Sequence, residues 1–171
     1  LFFMKILITG GAGFIGSHIA NSLTKKGHDI IIYDNFSSGN RENIDAENIT
    51  IIEGDILDYD KLNKSMEDVE IVSHHAAQLE IFVGIDEPEK DLSINTIGTL
   101  NILNSALANK VKKVINVSSA CVYGQTSDAK KEDDPTDPNW AYGISKLAAE
   151  KYANIYSNYK NLPITNLRYG I

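Results

Sequence analysis

Short β-branched and aliphatic runs alternate with longer amphipathic stretches from one end of the chain to the other. Strands are predicted at Lys5–Thr9, Asp29–Tyr33, Thr50–Ile52, Glu70–His74, Lys113–Val117 and Ile164–Leu167. Several of these runs lack apolar/polar alternation, as strands buried on both faces of a parallel sheet do. Helices are predicted at Phe14–Lys26 with Gly27 as the stop, Tyr59–Met66, Pro88–Asn109 and Ala141–Tyr159. Strand and helix taking turns implies right-handed βαβ crossovers, so the expected fold class is α/β with a doubly wound parallel sheet. No repeat or low-complexity tract interrupts the pattern, and the polar segment Gln125–Asn139 reads as a surface loop. The helix from Pro88 carries Leu92, Ile94, Ile97, Leu100, Leu103 and Leu107, more apolar positions than one sheet-facing stripe needs. Either it is deeply buried or part of it faces another subunit.

The chain has 171 residues, 43% hydrophobic and 23% charged, enough for one domain, residues 1–171, with a real core. Its 16 basic and 23 acidic residues leave a net charge of −7, and without a basic patch that balance argues against nucleic acid as a partner. The single cysteine, Cys121, forms no disulfide within the chain and assembles no cysteine-based zinc site. No metal site is expected, and a reducing cytoplasm fits best. Leu1–Gly10 is apolar but interrupted by Lys5 and too short to span a bilayer, so it reads as the first strand and not as a signal peptide, with Leu1–Phe3 ahead of Met4 either an alternative start or a non-native addition; no membrane partner is expected. The Asn-x-Ser/Thr matches at Asn35, Asn48, Asn63 and Asn116 read as chance in an Asn-rich chain.

Candidate chemistry begins directly after the first strand. Gly10, Gly11, Gly13 and Gly16 satisfy both Gly-x-Gly-x-x-Gly and Gly-x-x-Gly-x-x-Gly spacing. A pyrophosphate needs such a turn: no Cβ where the backbone bends or approaches the ligand, then helix amides facing the anion. Asp34 ends the second strand eighteen residues beyond Gly16, where a carboxylate can accept hydrogen bonds from ribose hydroxyls. The alternative is a glycine-rich turn with a surface Asp; the order of strand, glycines, helix and acid favours a dinucleotide. Since a carboxylate repels a 2′-phosphate, NAD is expected over NADP, a preference that nearby Arg41 weakens without reversing.

Tyr142 and Lys146 stand four residues apart at the start of a predicted helix, hence on one face. A phenol ordinarily titrates near pH ~10, and an adjacent ammonium together with a nicotinamide cation would favour phenolate, a usable base at neutral pH. Such pairs are commonly surface decoration, but Ser118-Ser119 ends the preceding strand at the sheet edge where ligands of these folds bind.

Taken together, Thr9-Gly10-Gly11-Ala12-Gly13-Phe14-Ile15-Gly16, Asp34-Asn35, Asp55-Ile56, His74-x-Ala76-Ala77-Gln78, Asn95-x-x-Gly98-Thr99, Ser118-Ser119-Ala120-x-Val122-Tyr123-Gly124 and Tyr142-x-x-x-Lys146 resemble the extended short-chain dehydrogenase/reductase family, in its nucleotide-sugar epimerase/dehydratase branch. The resemblance covers nearly the whole chain. It implies a Rossmann-type fold in which Gly10, Gly13, Phe14, Ile15 and Gly16 hold the NAD pyrophosphate, Asp34 and Asn35 the adenosine ribose, and Asp55 and Ile56 the adenine. Ala76, Ala77 and Gln78 would line the cofactor, with Asn95 supporting them. Ser119 would hydrogen-bond the sugar oxygen being oxidised, Tyr142 would be the acid/base, and Lys146 the cation that lowers its pKa and holds the nicotinamide ribose. His74 and His75 are expected to be structural or cofactor-adjacent, and Tyr123 and Trp140 packing residues or pocket rims.

Members that remove water resemble a Ser-Thr-Asp-Glu pattern, and decarboxylases usually carry Glu where this chain has Cys121, so both reactions are disfavoured. The loop Asp34-Asn35-Phe36-Ser37-Ser38-Gly39 is similar to that of the UDP-glucose 4-epimerases, which adds Ser37, Ser38 and Gly39 to the expected cofactor contacts. That resemblance implies interconversion of UDP-glucose and UDP-galactose through a 4-keto intermediate. Cys121 reads as a buried inert thiol or, alternatively, as similar to the acid/base cysteine of GDP-mannose 3,5-epimerases. Family members carry a smaller C-terminal half that grips the nucleotide sugar, whereas this chain stops near its sixth predicted strand. The expectation is the cofactor half of an epimerase; the alternative is a short NAD-binding or interaction protein without catalysis. The resemblance also implies a homodimer through the helices near 88–109 and 141–159.

Overall fold

The isoleucine-rich runs build the centre of the molecule. In the computed structural model, which describes residues 3–45, 47–125 and 128–170, six strands form one sheet: β1 (Lys5–Thr9), β2 (Asp29–Asp34), β3 (Ile49–Glu53), β4 (Ile71–His74), β5 (Lys113–Ser119) and β6 (Ile164–Tyr169). All neighbours are parallel, in the order β3-β2-β1-β4-β5-β6. The chain therefore winds outward from β1 to β3, returns to β4 and winds outward again. The crevice above the carboxyl ends of β1 and β4 is the switch point where doubly wound sheets bind ligands.

Six helices flank the sheet: α1 (Phe14–Lys25), α2 (Tyr59–Ser65), α3 (Ile81–Asp86), α4 (Pro88–Leu92), α5 (Gly98–Ala108) and α6 (Ala141–Lys160). Ile6, Ile8, Ile30 and Ile32 point to the face that Ala20 and partly buried Ile19 and Leu23 of α1 cover. Leu7, Ile31, Tyr33, Val72 and Val114 point to the other, against Leu62 of α2, Ile102, Leu103 and Ala106 of α5, and Ala153 and Tyr156 of α6. Burial on both faces is why Asp29–Tyr33 shows no alternation.

Every predicted strand is present. The ends of β5 and β6 reach two residues further than predicted, because Ser118 and Ser119 pair with Arg168 and Tyr169 in the ladder although their side chains carry no apolar signal. Gly27 ends α1 with φ +89°, as its position as the stop requires. Asp58, whose side chain accepts the Lys61 amide at 3.2 Å, starts α2. Two points depart from prediction. The six residues of α3 were not foreseen, since Ile81, Phe82 and Ile85 are exposed and give no core-facing stripe. The predicted helix Pro88–Asn109 is broken by a π-helical turn, Ser93–Ile97, in which the Gly98 amide reaches back to the Ser93 carbonyl. Of its apolar residues, Ile102 and Leu103 lie in the core, whereas Leu92, Ile97 and Leu107 are exposed.

The described part of the Gln125–Asn139 segment is mostly exposed loop; residues 126 and 127, like Leu1 and Phe2 of the apolar opening and Ile171, lie outside the described residues. The Asn116 match is buried, its amide donating to Asn166 Oδ1 at 2.8 Å, so it presents no acceptor at the surface. Among the described residues no helix is long and apolar enough to cross a membrane, and no group of three or more His, Cys, Asp or Glu side chains is placed to hold a metal ion.

Leu103 is fully buried where α5 packs against the rest of the core. Leu103→Ala should lower the unfolding free energy by about 2–5 kcal/mol, seen as a lower urea midpoint at unchanged slope.

Candidate active site

The turn from β1 to α1 closes only because two positions lack a side chain. Gly10 has φ +64°, and a Cβ there would lie 2.6 Å from the Ala76 nitrogen; a Cβ on Gly16 would lie 2.2 Å from the Gly10 carbonyl oxygen. The glycine turn is thus pressed against the segment after β4, and α1 begins at the crevice. Gly13 is the N-cap of α1 and no side chain caps the helix, so the amides of its first turn, including those of Phe14 and Ile15, are open to an anion. The Phe14 side chain itself is 79% exposed.

Around this turn the loop after β2 is tied down by polar contacts. Asp34 Oδ2 accepts the Ala12 amide at 2.9 Å and Oδ1 the Phe36 amide at 2.8 Å, leaving each oxygen a second lone pair for a hydroxyl. Asn35 donates to Asp55 Oδ2 at 2.9 Å and accepts the Ser37 amide at 3.0 Å. Asp55 also accepts the Leu57 amide at 2.8 Å, and Ile56 is buried beneath Gly98. Ser37 and Ser38 are exposed, while Gly39 packs on Ala12. Arg41 is committed elsewhere: its guanidinium pairs with Glu53 at 2.9 Å and stacks 4.3 Å from the Phe36 ring. That engagement favours the expectation of NAD over NADP.

Past the switch point, the π-helical turn places Asn95 between three elements. Its Oδ1 accepts the Gln78 amide at 2.9 Å, and its Nδ2 lies within donating distance of the Gln78 carbonyl at 2.9 Å, Ser145 Oγ at 3.1 Å and Asp91 Oδ2 at 3.2 Å. π turns recur at functional sites because the extra residue redirects a side chain. Ala76 and Ala77 follow β4 and are half-buried, the Ala76 amide donating to Thr9 Oγ1 at 3.3 Å. The Gln78 side chain engages the backbone of Glu80, its Nε2 donating to the carbonyl at 2.9 Å and its Oε1 accepting the amide, and so shapes the entry to α3. His74 lies between Thr9 Oγ1 at 2.6 Å and Thr99 Oγ1 at 3.1 Å. Burial, then Lys146 and His75, hold its pKa well below the usual value, and burial followed by Lys146 brings His75 down to about 4. Both imidazoles are neutral at physiological pH, as structural or cofactor-adjacent residues would be.

The reactive constellation stands at the carboxyl end of β5 and the start of α6. Ser119 closes β5, its Oγ accepts the Cys121 amide at 3.2 Å, and its hydroxyl lowers the pKa of the Tyr142 phenol. Burial pushes Tyr142 above its ordinary value and outweighs the lowering by Ser119, while Cys121 and Asp91 push it further up. Lys146, one turn along α6, is only 3% exposed. Burial brings its ammonium down to about 8, against the raising influence of Glu150 and then Asp91. Alongside lies a cleft of about 1000 Å³ lined by Cys121, Tyr123, Trp140, Glu150 and Arg168. Arg168 and Glu150 were not foreseen as site residues; the available signal was the position of Glu150 four residues after Lys146.

These features fit a dinucleotide. A glycine cradle with open helix amides suits a pyrophosphate, Asp34 and its neighbours suit a ribose and base, and Lys146 with Tyr142 suit the reacting end. Fold and crevice together define a dinucleotide-dependent domain of the short-chain dehydrogenase/reductase type. The model of the NAD-dependent epimerase/dehydratase family matches residues 6–170, and the chain belongs to that family. It is 37% identical over 167 residues to a UDP-glucose 4-epimerase of Corynebacterium glutamicum, covering 97% of this chain and 50% of that protein. It is 38% identical over 173 residues to a UDP-N-acetyl-alpha-D-glucosaminuronate decarboxylase of Bacillus cytotoxicus, covering 96% and 53%. The crystal structure of Thermus thermophilus UDP-glucose 4-epimerase in complex with NAD superposes with a TM-score of 0.92 at 33% identity, covering 97% of this chain and 55% of that one. The chain thus spans about half the length of the relatives it matches.

Because the Ser119 hydroxyl favours phenolate, Ser119→Ala should move the Tyr142 titration to higher pH, read from ¹³Cζ-tyrosine NMR with Tyr142→Phe supplying the assignment.

Proposed function

We propose that residues 1–171 form the NAD-binding domain of a nucleotide-sugar epimerase that interconverts UDP-glucose and UDP-galactose. The observation that carries this reading is Tyr142 one turn from a buried Lys146 on the helix that follows β5, at the same carboxyl edge of the sheet as the glycine turn after β1 and Asp34 of β2. The similarity to UDP-glucose 4-epimerases, including one in complex with NAD, supports the substrate and cofactor. Cys121, where decarboxylases of the family usually carry Glu, supports epimerisation over decarboxylation.

NAD supplies a hydride acceptor that is also the donor, so no outside oxidant is consumed. The chain's own residues handle the proton and the position. Ser119 holds the sugar C4 oxygen against Tyr142 Oη. The phenolate takes the hydroxyl proton as C4 is oxidised and returns it when C4 is reduced on its other face. Lys146, held as an ammonium, favours the phenolate that burial alone opposes. The first-turn amides of α1 hold the pyrophosphate, with Asp34, Asn35, Ser37, Ser38 and Gly39 around the adenosine end, and Asp55 and Ile56 against the base.

Two further features belong to this reading. Leu92, Ile97 and Leu107 near α4–α5, and Ile144, Tyr152, Ile155 and Tyr159 on α6, are exposed apolar side chains that suit the expected homodimer. The single half-buried thiol suits a reducing cytoplasm. Cys121 also carries the second reading, since it lines the cleft where an acid/base thiol of a 3,5-epimerase would have to stand. Unchanged turnover in Cys121→Ala removes that reading.

The product of the complete reading frame should convert UDP-galactose to UDP-glucose with NAD, followed by ¹H NMR of the anomeric protons. Tyr142→Phe should lower kcat by about 10²–10⁴-fold. Turnover of another nucleotide sugar with UDP-galactose untouched overturns the substrate, and release of carbon dioxide from a nucleotide uronate overturns the reaction.

A further inference from the structure

Behind Lys146 lies a buried charge that the proposed chemistry does not use. Glu150 is 3% exposed and follows Lys146 by four residues on α6, so the two side chains share one helix face a turn apart. Both Glu150 oxygens are occupied by Arg168 of β6, with Nε donating to Oε1 at 3.0 Å and Nη2 to Oε2 at 2.9 Å. The same guanidinium donates through Nη1 to Tyr123 Oη at 2.6 Å and to the Glu132 carbonyl at 2.9 Å, and stacks 4.8 Å from the Tyr123 ring.

A carboxylate removed from water is ordinarily driven towards its neutral form. A bidentate fork reverses that preference and fixes the rotamer, because both oxygens must stay aligned with the planar guanidinium. Breaking a pair of this kind leaves an uncompensated charge, so the fork holds the Glu150 side chain in place. The fork also joins three parts of the chain: β6, the turn and loop after β5 that flank Ser119, and the helix that carries Tyr142 and Lys146.

Other groups also act on Lys146. His74 at the end of β4 and His75 just after it are neutral and cannot balance its charge. Asp91 of α4 is the other nearby carboxylate, and Tyr142 stands one turn before Lys146 on the same helix. Glu150 therefore supplies a negative charge from the side facing away from the phenol, held by a partner on a different element.

We propose that Glu150 is a positioning residue of the active site, held by Arg168, whose carboxylate keeps the buried Lys146 in its ammonium form beside Tyr142. It rests on the reading of Lys146 as the cation that favours the Tyr142 phenolate. The test needs neither cofactor nor substrate: the ¹³Cε-lysine resonance of Lys146, assigned with Lys146→Arg, is followed against pH in the 171-residue chain. The parent midpoint is expected at about 8. In Glu150→Gln it should fall by about one unit or more, a tenfold loss of proton affinity. Glu150→Asp keeps the charge but draws it back by one methylene and should give a smaller fall, which preserves the test if the Gln variant does not fold. A folded variant of either kind with an unchanged Lys146 midpoint, even at reduced thermal stability, overturns the proposal and leaves Glu150 a packing residue. Failure of UDP-galactose turnover would instead count against the proposed reaction and leave this titration untouched.

Discussion

Everything at the site depends on one close approach of backbone to backbone. The Gly10 carbonyl occupies the space that a side chain at position 16 would need, and the segment after β4 occupies the space that a side chain at position 10 would need. With both positions bare, β1 runs into α1 through a turn tight enough to bring the helix amides to the switch point of the sheet. The same closure brings Ala76 against the turn and sets the near wall of the crevice. Asp34 then fastens the arrangement from β2 by accepting the Ala12 amide, so the carboxylate suited to read a ribose also braces the loop suited to hold a phosphate.

Across the switch point the construction changes from backbone to buried side-chain polarity. Asn95 links the π-helical turn to Gln78 and Ser145, and His74 links β1 and β4 to Thr99, so the helices carrying site residues are held to the sheet by hydrogen bonds as well as apolar packing. Each link is buried, which makes it costly to leave unmade and therefore geometrically exacting. Tyr142 and Lys146 inherit their positions from this framework, and burial sets their acid–base character: the phenol is pushed up and the ammonium down. Neither shift by itself makes a base at neutral pH. Burial outweighs the Ser119 hydroxyl at the phenol, so the charge on Lys146 is the quantity around which the proposed chemistry turns.

Much of this was legible in the order of residues. The strand–glycine–helix–acid sequence around residues 5–34 states its physical requirement openly, and the runs of isoleucine gave the parallel sheet because only strands covered on both faces lack alternation. The π-helical turn was not legible, because its seven-residue neighbourhood keeps an apolar spacing indistinguishable from a continuous helix; what breaks the helix is the polar demand of Asn95, visible only once Gln78 and Ser145 are in place. The short helix α3 escaped because its apolar side chains do not face the core. Arg168 and Glu150 escaped for a different reason: a charged residue on a helix and another on a strand read as surface, and their pairing is a fact of tertiary structure. The burial that pushes the Tyr142 phenol up was not legible either, because spacing reveals the neighbouring cation but not the depth of burial.

Isothermal titration of the chain with NAD, alongside Gly16→Ala, tests this most directly. The account predicts that the parent binds NAD and that the variant, its secondary structure retained by circular dichroism, binds at least about a hundredfold more weakly, equivalent to one or two lost hydrogen bonds to a charged group. Equal affinity in the folded variant, or no binding by the parent, would contradict the claim that the glycine closure builds the dinucleotide seat.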